Sequence, residues 1–344
     1  MSHTDTPSPT DTASRPDPRR TVRPRTAAGR SVLVLGASGY VGRHVCRAFT
    51  AAGDRVSGIA RSAPADLAGV HWRPLDLVAA TTEDLVRCLA GADVVVNAAG
   101  AVWGVTDEQM HRANAELPAR LAEAVARTPR RPRLIHLGSV HEYGPGPYGI
   151  AVAETFAPAP VTGYGRTKLA GTEAVLAGCR DRGLDALVLR ITNVSGPGTP
   201  TGSLLGMIAA HLARAADADP DGPPPLRLTP LTAERDFVDV RDVAAAVVAA
   251  ARCPDSGLVI NVGRGETVPV RALVDRLIGL SGVPVEVVEA DRDGGRRGTA
   301  DWQTVDLARA RALLGWQPVR DHDSSLRDLL AAALPHRRPA AAGR

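Results

Sequence analysis

Residues 32–42 read Val32-Leu33-Val34-Leu35-Gly36-Ala37-Ser38-Gly39-Tyr40-Val41-Gly42. Four consecutive apolar residues predict a short strand buried on both faces. Val41, Val45, Ala48 and Phe49 then recur at helical spacing, so a helix starts where the glycines end. A strand, a glycine turn and a helix in that order make a dinucleotide-binding unit. Its first glycine makes the turn, its second lets backbone approach a pyrophosphate, and its third lets helix pack on strand. The helix N-terminus then faces the phosphates. The spacing is GxxGxxG rather than GxGxxG, and the flanking strand and helix carry the reading. Gly36, Ser38, Gly39, Tyr40, Val41 and Gly42 are the candidate cofactor contacts.

A second strand, 55–60, ends in Arg61-Ser62. An NAD site places an acid near this point to hold the ribose 2′-hydroxyl. None stands here, and a guanidinium suits a 2′-phosphate, so NADP (as NADPH) is expected rather than NAD, with Arg61 and Ser62 beside it. The alternation continues with strands at 71–75, 93–97, 134–137 and 186–191 and helices at 82–90, 107–127 and 164–182. Such repetition predicts an α/β fold with a doubly wound parallel Rossmann sheet, its ligands at the carboxyl ends of the strands. After Asn193, glycines and prolines at 196–200 and 223–225 open a looser region. A helix at 240–251 and a strand at 258–262 follow, then helices at 269–280, 306–313 and 324–334. The expected organisation is a Rossmann domain over 31–192, to which 237–262 returns. A smaller, discontinuous substrate domain takes 193–236 and 263–334. Segments 1–30 and 335–344 are too polar to offset the entropy of folding and are expected to be disordered.

Of the 41 lysines and arginines in the chain, Lys168 is the only lysine, and it follows Tyr164 by four residues. On a helix that spacing puts both side chains on one face. An ammonium at ~4 Å attracts a phenolate by roughly 4 kcal/mol at an effective dielectric of about 20. That is enough to draw a phenol from its ordinary range toward neutrality and make it an acid and base.

The bulk properties narrow the function. Apolar residues at 44% and charged residues at 23% are ordinary for a globular protein. A net charge of +4 with 3% aromatics gives neither a basic stripe nor a stacking platform, so no nucleic-acid partner is expected. Cys46, Cys88, Cys179 and Cys253 are widely spaced and suit a reducing compartment. The nine histidines form no HxxxH or HExxH pair, so no metal site is expected. No apolar run has the length of a membrane span, and Arg19-Arg20 precede no hydrophobic segment. A cytoplasmic protein without membrane partners is expected.

Over 31–334 the chain resembles the extended short-chain dehydrogenase/reductase family, which includes nucleotide-sugar epimerases, dehydratases and ketoreductases. The residues that carry this are Gly36-x-x-Gly39-x-x-Gly42, Asp76-Leu77, Asn97-Ala98-Ala99-Gly100, Ser139 before Tyr143-Gly144, and Tyr164-x-x-x-Lys168. Arg190 to Pro197, Arg235 to Asp242 and Asp306 to Pro318 continue the same order. The resemblance implies that Tyr164 exchanges a proton with the substrate oxygen, that Lys168 lowers its pKa and holds the nicotinamide ribose, and that Ser139 orients the carbonyl. It also implies cofactor contacts at Asp76, Leu77, Ala98, Ala99 and Gly100, with Asn114 supporting the Lys168 region or packing helices. Arg235 and Arg296 fall where the family meets the sugar-nucleotide diphosphate. Trp103, His141 and Asn193 are the remaining substrate-side candidates, with core packing an equal reading for Trp103. By the same analogy the protein is a homodimer, through the helices at 107–127 and 163–182.

Sugar dehydratases of this family carry an Asp-Glu pair directly after the catalytic Ser or Thr. Here those positions are Val140 and His141, and Glu142 comes one residue late and is expected to point elsewhere. Elimination would lack its general acid. The Arg61 reading favours NADPH consumed as a reductant over NAD kept bound and reused. The expected activity is therefore reduction of a nucleotide-linked keto-deoxysugar. An epimerase is the nearest alternative, and a non-catalytic NADP-binding sensor would not need Tyr164, Lys168 and Ser139 together.

Overall fold

The computed structural model describes residues 29–62, 64, 67–216, 225–289 and 302–334. The expected tails at 1–28 and 335–344, Pro223, Pro224 and the diphosphate candidate Arg296 lie outside the described residues. Order starts earlier than the composition suggests. Arg30 donates from its main chain and its side chain to Asp54 (3.1, 3.2 and 2.8 Å) and to the Ala251 carbonyl at 3.1 Å. The chain thus enters the sheet already anchored.

In chain order the elements are β1 (Ser31–Leu35), α1 (Tyr40–Ala51), β2 (Arg55–Ala60), β3 (Val70–Pro74), α2 (Thr82–Leu89), β4 (Val94–Asn97), α3 (Asp107–His111), α4 (Leu117–Arg127), β5 (Arg133–Ser139), α5 (Gly163–Arg182) and β6 (Ala186–Ile191). There follow β7 (Asn193–Ser195), α6 (Leu204–Ala216), β8 (Leu226–Leu228), β9 (Glu234–Arg235), β10 (Phe237–Asp239), α7 (Val240–Ala250), β11 (Leu258–Val262), β12 (Val268–Pro269), α8 (Val270–Ser281), β13 (Val287–Glu289), β14 (Trp302–Gln303) and α9 (His322–Ala333).

A seven-stranded parallel sheet runs in the order β3-β2-β1-β4-β5-β6-β11. Alternate residues of its strands point to opposite faces. Val32 and Val34 join a core with Phe49 of α1 and Val247 of α7. Leu33 and Leu35 join another with Leu85 of α2, Leu121 of α4 and Val175 of α5. With both faces covered, the central strands β1 and β4 are almost wholly apolar. The order reverses between β1 and β4, and a crevice at that switch point, outside the carboxyl ends, is where such sheets take ligands.

A third cluster is separate from the sheet. It packs Leu205 and Leu212 of α6, Leu273 and Leu277 of α8, and Leu326 and Leu330 of α9 around β8. Short ladders tie this region back: β7 pairs with β10, β9 lies between β12 and β14, and β13 pairs with β8. Val305, Leu307, Ala310 and Trp316, between β14 and α9, pack instead into the α1–α7 core.

Three local expectations are refined. The helix expected at 107–127 is present and carries a π-helical turn at Arg112–Glu116, which holds Asn114. The region after Asn193 is not loose throughout, since α6 follows its glycines and prolines. The helix at 306–313 gives way to a wide turn at Ala310–Leu314, stopped by Gly315 with φ +60°.

Candidate active site

The site is assembled at the carboxyl ends of the sheet. Gly36 ends β1 with φ +73°, and a Cβ there would lie 2.7 Å from the Ala99 backbone. A Cβ on Gly42 would lie 2.1 Å from the Gly36 carbonyl oxygen. The turn therefore closes only without side chains, and it brings the Gly36–Gly39 loop against Ala98 and Ala99. Gly39 is the N-cap of α1, whose first turn has no acid and no capping side chain. Its outward N–H groups suit a pyrophosphate. This cradle fits the dinucleotide that the glycine spacing implies. Ser38 is exposed beside it and Val41 half-buried. The Tyr40 hydroxyl is instead bonded to Thr199 Oγ1 at 3.0 Å, and burial raises its phenol.

Arg61 and Ser62 are exposed just past β2. Asp76 stands past β3, its Oδ1 accepting from the Val78 and Ala79 amides (2.9 and 3.3 Å), and Leu77 is buried in the core. Past β4, Asn97 Oδ1 accepts from the Ala99 amide at 3.3 Å, and its Nδ2 meets His136 Nδ1 at 3.1 Å. That pair fixes the start of the 98–100 loop. Asn114 braces its end: Oδ1 accepts from the Ala101 amide, while Nδ2 donates to the Ala101 carbonyl and to Thr167 Oγ1 at 3.2 Å. Asn114 thus joins the cofactor-side loop to α5 through Thr167.

Ser139 ends β5 and opens a 3₁₀ turn, Val140–Glu142. Its hydroxyl accepts from the His141 amide at 3.3 Å and lies near enough to Tyr164, from the first turn of α5, to favour the ionised phenol. Lys168, one turn later, is buried and donates to the Leu137 carbonyl. The three side chains expected to act together are therefore neighbours. The expected electrostatics are corrected, however. Burial raises the Tyr164 phenol above its ordinary value, the Ser139 hydrogen bond offsets part of this, and Glu142 adds to it. Burial lowers the Lys168 ammonium and Glu142 opposes that. The tyrosine is held here as a neutral phenol, a proton donor in waiting. His136, wholly buried with Nε2 lacking a hydrogen-bond partner, is kept neutral by burial and then by Lys168.

On the other side of Tyr164, His141 packs edge-on at 5.6 Å. Burial and then Arg235 lower its pKa, so a neutral imidazole faces the phenol. Arg235 lies on β9, opposite Gln303 of β14. Asn193 Nδ2 donates to the Asp236 carbonyl at 3.0 Å and to Gln303 Oε1 at 3.3 Å. His141, Arg235 and Asn193 are thus drawn together around β9 and β14. Trp103 is 51% exposed and packs on Gly202, at 3.0 Å from where a Cβ would stand, which answers the core-packing alternative. Glu142, expected to point away, turns inward onto Ser139 and Arg190. A lone arginine in the otherwise apolar strand β6, Arg190, was the available signal. Among the described residues no group of three His, Cys, Asp or Glu could hold a metal, and no helix is long and apolar enough to cross a membrane.

Comparison with known proteins agrees with this geometry. Residues 32–263 match the NAD dependent epimerase/dehydratase family. The dTDP-6-deoxy-L-talose 4-dehydrogenase (NAD(P)(+)) of Kitasatospora kifunensis is 44% identical over 313 residues, covering 90% of this chain and 97% of that protein. The UDP-glucose 4-epimerase of Azospirillum brasilense is 30% identical, covering 89% and 93%. Among solved structures, MoeE5 in complex with UDP-glucuronic acid and NAD superposes with a TM-score of 0.77 at 26% identity, covering 87% of this chain and 97% of that one. A glycine cradle at β1, the Ser139–Tyr164–Lys168 cluster and a full-length relative that is a dehydrogenase converge: the chain belongs to the NAD-dependent epimerase/dehydratase family and is an NAD(P)-dependent oxidoreductase.

Proposed function

We propose that the protein reduces the keto group of a nucleotide-linked keto-deoxysugar, a dTDP-4-keto-6-deoxyhexose, with NADPH. The observation that carries the reading is the gathering of Ser139, at the end of β5, with Tyr164 and Lys168 on the first turns of α5, where Lys168 donates to the Leu137 carbonyl and His141 packs edge-on to Tyr164 at 5.6 Å. A reduction needs a proton donor at the carbonyl oxygen, and a raised pKa keeps that proton available near neutral pH. The bound dinucleotide supplies the hydride. Tyr164 gives its proton to the substrate oxygen, and Ser139 holds that oxygen by a hydrogen bond as negative charge develops. Lys168, one turn further along α5, bonds the nicotinamide ribose in this reading. The backbone at Gly39 and the first turn of α1 take the pyrophosphate, with Gly36 and Gly42 closing the turn; Asp76 takes the adenine, and the Ala98–Gly100 loop, braced by Asn114, lines the cofactor. Arg61, past β2, takes the 2′-phosphate, which supports NADPH over NADH.

On the substrate side, His141, Asn193 and Arg235 hold the sugar nucleotide, with Arg235 on a phosphate. The α6–α8–α9 unit is the substrate lobe. The 44% identical relative, a dTDP-6-deoxy-sugar 4-dehydrogenase by name, supports a dTDP sugar and chemistry at C4. By analogy with the family, a homodimer would form through α3, α4 and α5.

The test is to incubate the enzyme with dTDP-4-keto-6-deoxyhexoses and follow NADPH oxidation with NMR of the product. Stoichiometric NADPH consumption with appearance of a 4-hydroxyl is expected. A second reading, a nucleotide-sugar epimerase, is supported by the 30% identical UDP-glucose 4-epimerase. It requires an inverted sugar with no net change in NADPH.

A further inference from the structure

We propose that Glu142 is a positioning residue of this site, holding Ser139 by its backbone and supplying the buried counter-charge for Lys168, with Arg190 locking the carboxylate in place. The proposal rests on the reading of Ser139, Tyr164 and Lys168 given above. Glu142 has no exposed side chain and Arg190 only 4%. Glu142 Oε1 accepts the Ser139 N–H at 2.7 Å, and Oε2 accepts from Arg190 Nε at 2.7 Å. The Arg190 guanidinium lies 4.4 Å from the centre of the Tyr143 ring, and the Tyr143 hydroxyl donates to Asn261 Oδ1 at 2.8 Å. Each end of the carboxylate is thereby fixed, and it cannot turn without leaving a buried donor unpaired.

A buried ion pair alone is weak evidence for a role, because desolvation cancels much of its attraction. Here the carboxylate is also used by the site. It holds the main chain of the residue whose hydroxyl meets Tyr164. It is also the charge that opposes the loss of the Lys168 ammonium on burial. The titratable groups facing Lys168 are His136 from β5 and Glu142 from the 3₁₀ turn, with Tyr164 one turn away on α5. His136 is neutral and Tyr164 a phenol, so Glu142 supplies the negative charge among them. Gly138 leaves the room for it: a Cβ there would stand 2.6 Å from Glu142 Oε1.

Lys168 is the chain's only lysine, so protein grown on isotope-labelled lysine gives a single side-chain NMR signal to titrate. In Glu142→Gln that signal is expected to titrate at lower pH than in the wild type. The amide offers one acceptor oxygen to two buried donors, the Ser139 N–H and Arg190 Nε, so turnover should fall roughly 10- to 100-fold as the turn shifts, with NADPH binding retained. An unchanged Lys168 titration overturns the proposal. Should Glu142→Gln fail to fold, Arg190→Met leaves Glu142 without its cation, and Lys168 should then titrate at higher pH; an unchanged or lower value overturns it equally. Tyr164→Phe, assayed alongside, separates the two levels of inference. Wild-type turnover in Tyr164→Phe rejects the reading of the site itself. An inactive Tyr164→Phe beside a Glu142→Gln with wild-type Lys168 titration rejects only the role of Glu142.

Discussion

Gly165 lies against the backbone of His141: a Cβ on Gly165 would stand 2.4 Å from the His141 carbonyl oxygen. The first turn of α5, which carries Tyr164, therefore packs directly on the 3₁₀ turn that follows Ser139. Helix propensity alone says Gly165→Ala should stabilise a helix by roughly 0.5–1 kcal/mol. Packing says the opposite, because one of the two turns must move. We expect Gly165→Ala to melt at a lower temperature than the wild type and to lose roughly 10- to 100-fold in turnover, as Tyr164 and Ser139 move apart. A variant that melts higher and turns over normally would show that the two turns are not held in register by this contact.

Lys168 donates into the Leu137 carbonyl from a buried position. A guanidinium keeps the charge but is broad and planar, and it cannot replace a compact ammonium in that space. Lys168→Arg should fold and still lose at least about 100-fold in turnover, comparable to the ~10²–10⁴-fold expected for removing the proton donor in Tyr164→Phe. Circular dichroism and NADPH oxidation read the two properties separately. An active Lys168→Arg would mean that charge alone suffices.

The central sheet is legible because strands covered on both faces are predominantly apolar. β2, β6 and β11 run over the spans their apolar residues mark, 55–60, 186–191 and 258–262. The proximity of Ser139, Tyr164 and Lys168 is legible through motif order. What is hidden depends on contacts between distant segments. α6 is masked by the glycines and prolines that precede it and by Gly206 within it. The π-helical turn at Asn114 exists because its side chain is pulled between Ala101 and Thr167, which no periodicity records. Spacing also misjudges Tyr164. It places an ammonium one turn away but says nothing of the burial that outweighs it, or of the carbonyl that engages Lys168 instead. Glu142 escapes for a related reason, since its partner Arg190 is 48 residues away on β6.

Arg61 is exposed past β2, where a ribose 2′-position is expected. Charge-assisted hydrogen bonds to a phosphate contribute about 1.5–3 kcal/mol. Arg61→Ala should therefore weaken NADPH binding by roughly 10- to 100-fold while changing NADH binding little. Titration calorimetry with both cofactors reads the difference. An equal loss for both would remove the 2′-phosphate from the reading and leave Arg61 as a general contributor to the surface potential.

Asp236 carries a pH dependence whose sign can be worked out. It is fully buried between β9 and β10, and its carboxylate accepts from the Arg264 and Gly265 amides at 2.7 and 2.8 Å and from Thr192 Oγ1 at 3.0 Å. Burial outweighs these donors and pushes its carboxyl up to about 6. The unfolded chain releases the same proton near ~3.9. Between these values the folded protein binds more protons, so this residue's contribution to stability is fully present below about pH 4 and is lost as pH rises through 6. The span corresponds to on the order of 3 kcal/mol. Asp236→Asn removes the titration and places an amide opposite backbone N–H groups, which costs about 1–3 kcal/mol. The stability gap between wild type and variant should be widest at about pH 4 and below and narrow toward pH 7, as the wild type comes to bear its buried charge. Urea unfolding of both proteins across that range measures the gap. Parallel curves would mean that Asp236 is ionised throughout, with its donors outweighing burial.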